Sequence, residues 1–142
     1  MNVTGTSRLE VERMLQELLV GSSIQRLVYS ITQWEITFLG KVEALLVSSE
    51  FNIGKSTLDW FTVNERSTRV DTLNAVSVGS VLLSLTNGPR VVGVSVLPKG
   101  DVNISFSDGA QVCALGTVPG VDWTWSIHSD LYSFTCDGPW DV

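Results

Sequence analysis

Apolar positions recur along this chain with two different periods. Between Ser7 and Gly21, Met14, Leu15, Leu18 and Leu19 fall at the three-and-four spacing of one helical face; Ser7 with Glu10 forms an S-x-x-E start signal, and Gly21 is a stop. An N-terminal helix is predicted there. Further on the period drops to two, the mark of a half-buried strand. Trp34, Ile36 and Phe38 alternate with Gln33, Glu35 and Thr37, and a two-residue Gly40-Lys41 turn returns the chain through residues 42–47. That register sets Trp34 opposite Val47 and Ile36 opposite Leu45.

Two more hairpins follow from the same test. A turn at Asp108-Gly109 sets Phe106 opposite Gln111, Ile104 opposite Cys113 and Val102 opposite Leu115, which puts Cys113 on the core face. A turn at Ser129-Asp130 sets Ile127 opposite Tyr132, Trp125 opposite Phe134 and Trp123 opposite Cys136. Cys136 is then core and His128 is not, while Thr124, Ser126, Ser133 and Thr135 share the wet face. The continuous apolar run "VSVGSVLLSL" suits a strand or a helix. Asp71 as N-cap and Asn87-Gly88-Pro89 as terminator favour a second helix near residues 72–86, with Leu73, Val76, Leu83 and Ser80 sharing one face. A strand over residues 91–96 and a Pro98-Lys99-Gly100 turn then lead into the Asp108-Gly109 hairpin.

The resulting fold class is α+β, mostly antiparallel hairpins forming a sheet or sandwich with an N-terminal helix and a second helix. Residues 1–142 make one domain, with a helical segment over 1–21 and a β-rich body over 24–142.

"EFNIG" after a hairpin, then "VGSVLLSLTNGPRVVGVSV", "DVNISFSDGAQV" and "VDWTWSI", resembles a family of small bacterial proteins of uncharacterised function. These carry a leucine-rich segment before a strand, a strand ending in an F-x-DG turn, and an aromatic strand centred on tryptophan. The likeness runs from Ile24 to Trp140 and leaves the N-terminal helix outside. It implies an α+β fold and supports the helix near 72–86, and it brings no catalytic residues to carry over. In type, a small acidic α+β chain of this kind is similar to the immunity proteins that neutralise bacterial toxins.

Composition narrows the class. Hydrophobic residues are 44% of the chain and charged residues 17%, which argues against disorder. No apolar run approaches the roughly 20 residues of a membrane span, and the segment up to Gly21 carries Glu10, Glu12 and Glu17 where a secretory signal would be apolar. A cytoplasmic protein with reduced cysteines is expected. The net charge of −6 is unevenly placed: all nine basic residues lie at or before Lys99, where they balance nine acids. Beyond Lys99 only Asp101, Asp108, Asp122, Asp130, Asp137 and Asp141 remain. Such a field repels nucleic-acid phosphates and anionic membranes and attracts a basic protein surface.

Candidate chemistry is sparse. Gly54-Lys55-Ser56 ends like a phosphate-binding loop, but Ser49 stands where the first glycine belongs. Leu58, Trp60 and Val63 then predict a strand where a helix is needed, so no nucleotide site is expected. One histidine and two distant cysteines give no metal-ligand spacing and no cofactor signature. A Cys-His or Ser-His pair needs only that the partners meet in space, but the registers above place both cysteines across a sheet from His128. A solvated strand-end histidine is expected rather than the base of a nucleophile.

The expected function is non-enzymatic: an acidic immunity-type or inhibitor protein masking a basic partner such as a nuclease toxin. Its candidate surface is Asp122, Asp130, Asp137, Trp140 and Asp141. The alternative is a small-ligand domain or carboxylate-based enzyme with a cavity between sheet and helices.

Overall fold

The computed structural model describes residues 7–29, 33–48, 51–53, 82–116, 124–136 and 140. Outside that set lie the Gly54-Lys55-Ser56 turn and the strand expected after it, Trp60, Trp123, and most of the helix expected near residues 72–86. Helix α1 spans Arg8–Leu19, and nine described strands follow it. These are β1 (Ser23–Tyr29), β2 (Trp34–Leu39), β3 (Glu43–Ser48), β4 (Phe51–Ile53), β5 (Val91–Val96), β6 (Val102–Phe106), β7 (Gln111–Ala114), β8 (Trp125–Ser129) and β9 (Ser133–Cys136). The α+β class holds. Every pairing between the described strands is antiparallel, in one sheet ordered β1-β2-β3-β8-β9 and a second ordered β4-β7-β6-β5.

The two sheets and α1 share one core. Ile36, Phe38, Leu46, Trp125, Ile127 and Phe134 come from the first sheet, Val94, Val96, Val102, Ile104 and Val112 from the second, and Val11, Leu15, Leu18 and Leu19 from the helix. Each fully buried side chain of this size contributes roughly 1.5–3 kcal/mol relative to exposure.

Helix α1 starts where Ser7 predicts, with Ser7 Oγ accepting from the Glu10 N–H at 3.2 Å. Its position follows from a stripe of polar side chains one turn apart. Arg8 Nη1 donates to the Val96 carbonyl (2.6 Å), Glu12 Oε2 accepts from the Val96 N–H (2.8 Å), and Gln16 Nε2 donates to the Val94 carbonyl (3.0 Å). These bonds occupy backbone groups of β5 that face away from β6. An edge strand left bare is a template for pairing with another chain; here helix side chains fill the positions a further strand would take.

The three predicted hairpins exist, but each has a different register. Between β2 and β3 the loop has three residues, Gly40-Lys41-Val42, so Trp34 opposes Ser48, Ile36 opposes Leu46 and Phe38 opposes Ala44. The β6–β7 loop also has three, Ser107-Asp108-Gly109, closed by Phe106 N–H to Ala110 C=O (2.9 Å) with Gly109 at φ 91°. Ile104 therefore opposes Val112, and Asn103 opposes Cys113. A slip of one residue exchanges the faces of a strand. Leu46, Val112 and Ala114 become core, while Cys113 turns outward and is half-buried. The β8–β9 turn is Asp130-Leu131, one residue later than expected, so Ile127 opposes Phe134 and Trp125 opposes Cys136. This slip is even, so the faces survive and Cys136 is buried as expected. Thr124 and Ser126, placed on the wet face by the sequence, are nevertheless buried.

Residues 82–84 form a helical turn that ends where Asn87-Gly88-Pro89 predicts, at Asn87 with φ 58°. Leu82 and Leu85 are its buried residues. Leu83, expected inside, is 68% exposed. Strand β5 has the predicted bounds.

Candidate functional site

The end of the molecule that carries Asp130 is assembled from five connections. The β6–β7 loop is tied to Arg90 by Ser107 N–H to Arg90 C=O (2.8 Å) and by Arg90 N–H to Ser107 Oγ (3.0 Å). Arg90 Nη1 reaches the Gly21 carbonyl at 2.7 Å, which brings in the α1–β1 connection. Gly40, in the β2–β3 loop, lies against Ser22. Ala44 pairs with Ser129, which sets the β2–β3 loop beside the β8–β9 turn. Asp108 and Asp130, both exposed, thus occupy the same end as Lys41, Glu43 and Arg90.

The acids of the C-terminal third do not all serve a surface. Asp101 Oδ1 accepts from the Gly116 N–H at 2.7 Å and is structural, and Asp108 Oδ1 accepts from the Ala110 N–H at 3.0 Å and shapes its turn. Asp130 is exposed in the β8–β9 turn. Asp122, Asp137 and Asp141 lie outside the described residues.

Trp140 sits elsewhere. Its ring stacks on Phe134 with centroids 6.0 Å apart and planes 10° apart, and its backbone N–H donates to the Pro98 carbonyl at 2.9 Å. Pro98 belongs to the β5–β6 turn. Gly100 of that turn accepts from Trp125 Nε1 at 2.8 Å, and Trp125 pairs with Cys136 at the finish of β9. The structure therefore places Trp140 towards the opposite end of β9 from Asp130, with its ring against the core. These two candidate residues are not brought together.

The same region holds a polar lock between the sheets. Thr124 Oγ1 donates to the Gly116 carbonyl (2.9 Å), Asp101 takes the Gly116 N–H, and the Trp125 indole takes the Gly100 carbonyl. Thr124 is buried because it belongs to this lock.

Outside the core, the first sheet carries the chain's one histidine. His128 Nε2 lies 2.9 Å from Ser126 Oγ, and His128 Nδ1 lies 3.1 Å from Ser133 Oγ. Ser126 and His128 share a strand face two residues apart, and Ser133 is the cross-strand partner of His128. The register expected from the sequence sets Ser133 opposite Ser126 instead, so this grouping is not anticipated there. Neither cysteine is part of this group, since Cys136 faces the core and Cys113 stands on the second sheet, paired with Asn103 and Asn52. Nearby, the Tyr132 hydroxyl donates to Glu17 Oε2 at 3.0 Å, and that bond raises its pKa above the ordinary phenol value.

Burial pushes the Cys113 thiol up to about 12, with the Asp101 carboxylate adding to the effect. Only the thiolate reacts, so alkylation of Cys113 in the folded protein at pH 8 should run about 10³-fold slower than that of a free cysteine. Timed iodoacetamide labelling with mass mapping checks this, with the urea-unfolded chain as the fast reference.

Among the described residues no group of three His, Cys, Asp or Glu side chains could hold a metal ion, and no helix is long and apolar enough to cross a membrane. Comparison with protein-family models, with curated proteins and with solved structures returns no match, so the functional reading rests on the chain's own residues.

Proposed function

We propose that this chain is a non-enzymatic binding protein that covers a basic protein surface with the acidic residues of its C-terminal third, as an immunity-type inhibitor of a cationic toxin or nuclease would. The observation that carries the reading is the charge split. Lysine and arginine stop at Lys99, so the whole net charge of −6 belongs to the segment that follows. Turn geometry accounts for aspartates at Asp108 and Asp130, and backbone bonding for Asp101, but neither requires that balancing lysines be missing. An excess of negative charge speeds encounter with a positively charged partner and disfavours like-charged ones.

The test begins with capture of partners by the tagged full chain from lysate of its native host, followed by binding titrations at about 50 and 200 mM salt. The Debye length shrinks from roughly 14 to 7 Å over that range. Association of the wild type should slow with salt. A variant with Asp122, Asp130, Asp137 and Asp141 all changed to Asn should bind more weakly and lose most of that dependence. Equal affinity in all four measurements removes the acidic surface from the mechanism.

A further inference from the structure

We propose that Ser126 is an activated nucleophile that accepts an acyl group from a small activated ester, with His128 as its base and Ser133 positioning the imidazole. The inference stands independently of the partner reading.

Three side chains with the required roles are in place. A serine hydroxyl is a weak nucleophile until a base within hydrogen-bond reach takes its proton, and that base must be held in one tautomer by a third group. Ser126 Oγ and His128 Nε2 are 2.9 Å apart, within that reach. On the other side of the ring, Ser133 Oγ lies 3.1 Å from Nδ1. With the proton on Nδ1, the Ser133 oxygen accepts it and the Nε2 lone pair points at the Ser126 hydroxyl. Each position is set by backbone pairing: His128 to Ser133 across β8–β9, and Ser126 to His128 along one strand face.

The surroundings favour the serine and limit its reagent. Across the β3–β8 pairing, Leu45 opposes His128 and Val47 opposes Ser126, so the pair is flanked by apolar side chains on that side, while Thr135 opposes Ser126 on the β9 side. Ser126 is 7% exposed while His128 is exposed, so the base is open to solvent while the nucleophile is largely covered, which favours a small acyl donor.

In the reaction Ser126 Oγ attacks the ester carbonyl carbon as its proton passes to His128 Nε2. Collapse of the tetrahedral adduct breaks the bond to the alcohol oxygen, which takes the proton from Nε2. The products are O-acyl-Ser126 and the free alcohol, with His128 returned to its starting state. The transfer is stoichiometric; each chain accepts one acyl group.

The full chain is incubated with p-nitrophenyl acetate, and acetylation is followed by intact mass and located by peptide mapping, lysine acetylation being measured in the same maps. The expected result is one acetyl group on Ser126, absent in Ser126→Ala and formed about 10²-fold more slowly in His128→Gln, the usual contribution of a general base. Ser133→Ala should slow the reaction and Ser133→Thr should restore it, which a merely structural hydroxyl would not produce. Far-UV circular dichroism and thermal midpoints confirm that each variant is folded; where His128→Gln is not, His128→Asn takes its place. Absence of an adduct at Ser126, an adduct on His128, or acetylation of Ser126 at an equal rate without the imidazole each overturns the proposal.

Discussion

Gly116→Ala is expected to destabilise the protein by about 3 kcal/mol or more, lowering the thermal midpoint by roughly 10 °C. A Cβ at position 116 would lie inside the van der Waals shells of the Gly100 carbonyl carbon and Cα, and 2.5 Å from the Lys99 carbonyl oxygen. All three atoms are backbone, so no rotamer change relieves the clash and one chain segment must move. That movement disturbs more than packing. The Gly116 N–H is held by Asp101, its carbonyl by Thr124, and the opposing Gly100 carbonyl by Trp125. Thermal unfolding followed by circular dichroism measures the effect; a shift of only a degree or two would mean that the two segments do not cross as closely as described.

Trp125→Ala should be comparably severe, at roughly 3–5 kcal/mol, and Trp125→Phe should fall between it and the wild type. The indole is fully buried, packs on Phe134 with centroids 5.5 Å apart, and donates to Gly100 C=O. Phenylalanine retains most of the apolar volume but leaves that carbonyl without its donor, a loss of about 1–3 kcal/mol for a buried group. Urea unfolding of both variants separates the two contributions. In the Gly116→Ala background the Trp125→Phe change should cost less, because the Gly100 carbonyl has already been displaced. Additive effects would show that the tryptophan and the glycine crossing act independently.

How much of this was readable beforehand depends on the element. Helix α1 and its cap were legible because Ser7, Glu10 and the apolar stripe are local signals. Strand β5 was legible because Pro89 and Pro98 bracket it. The hairpins were located correctly and misregistered, and the reason is chemical. Asp-Gly suits a two-residue turn with positive φ at both central positions, but it equally suits a three-residue loop whose last residue alone is left-handed, and Gly109 uses the second. One residue in loop length decides which way Cys113 points. Strand β1 was not anticipated at all. A register shift between Ile24 and Arg26 breaks its period of two, so its burial pattern does not alternate.

Of the candidate surface, Asp130 is where a turn aspartate should be, whereas Trp140 proves to be turned against Phe134. Nothing in "CDGPWDV" distinguishes a ring that closes a core from one that meets a partner, since both demand a large apolar face. The His128 group shows the reverse case. Ser126 and His128 stand two residues apart in the sequence, but the cross-strand serine depends on a register that a one-residue shift of the turn moves by two.

The contacts from α1 to β5 also bear on the order in which the molecule can assemble. Arg8, Glu12 and Gln16 meet Val94 and Val96 across separations of 78 to 88 residues, among the costlier loops for a chain of this length to close. The β5–β6 hairpin needs only a short turn and can form early, so for an interval during folding β5 exists with its outer N–H and C=O groups uncovered. Over that interval the nearest strand from another molecule competes with the chain's own helix for the same hydrogen bonds. Yield on refolding should therefore be set by concentration, as a race between intramolecular closure and encounter, even though the finished protein presents no such opening at that edge.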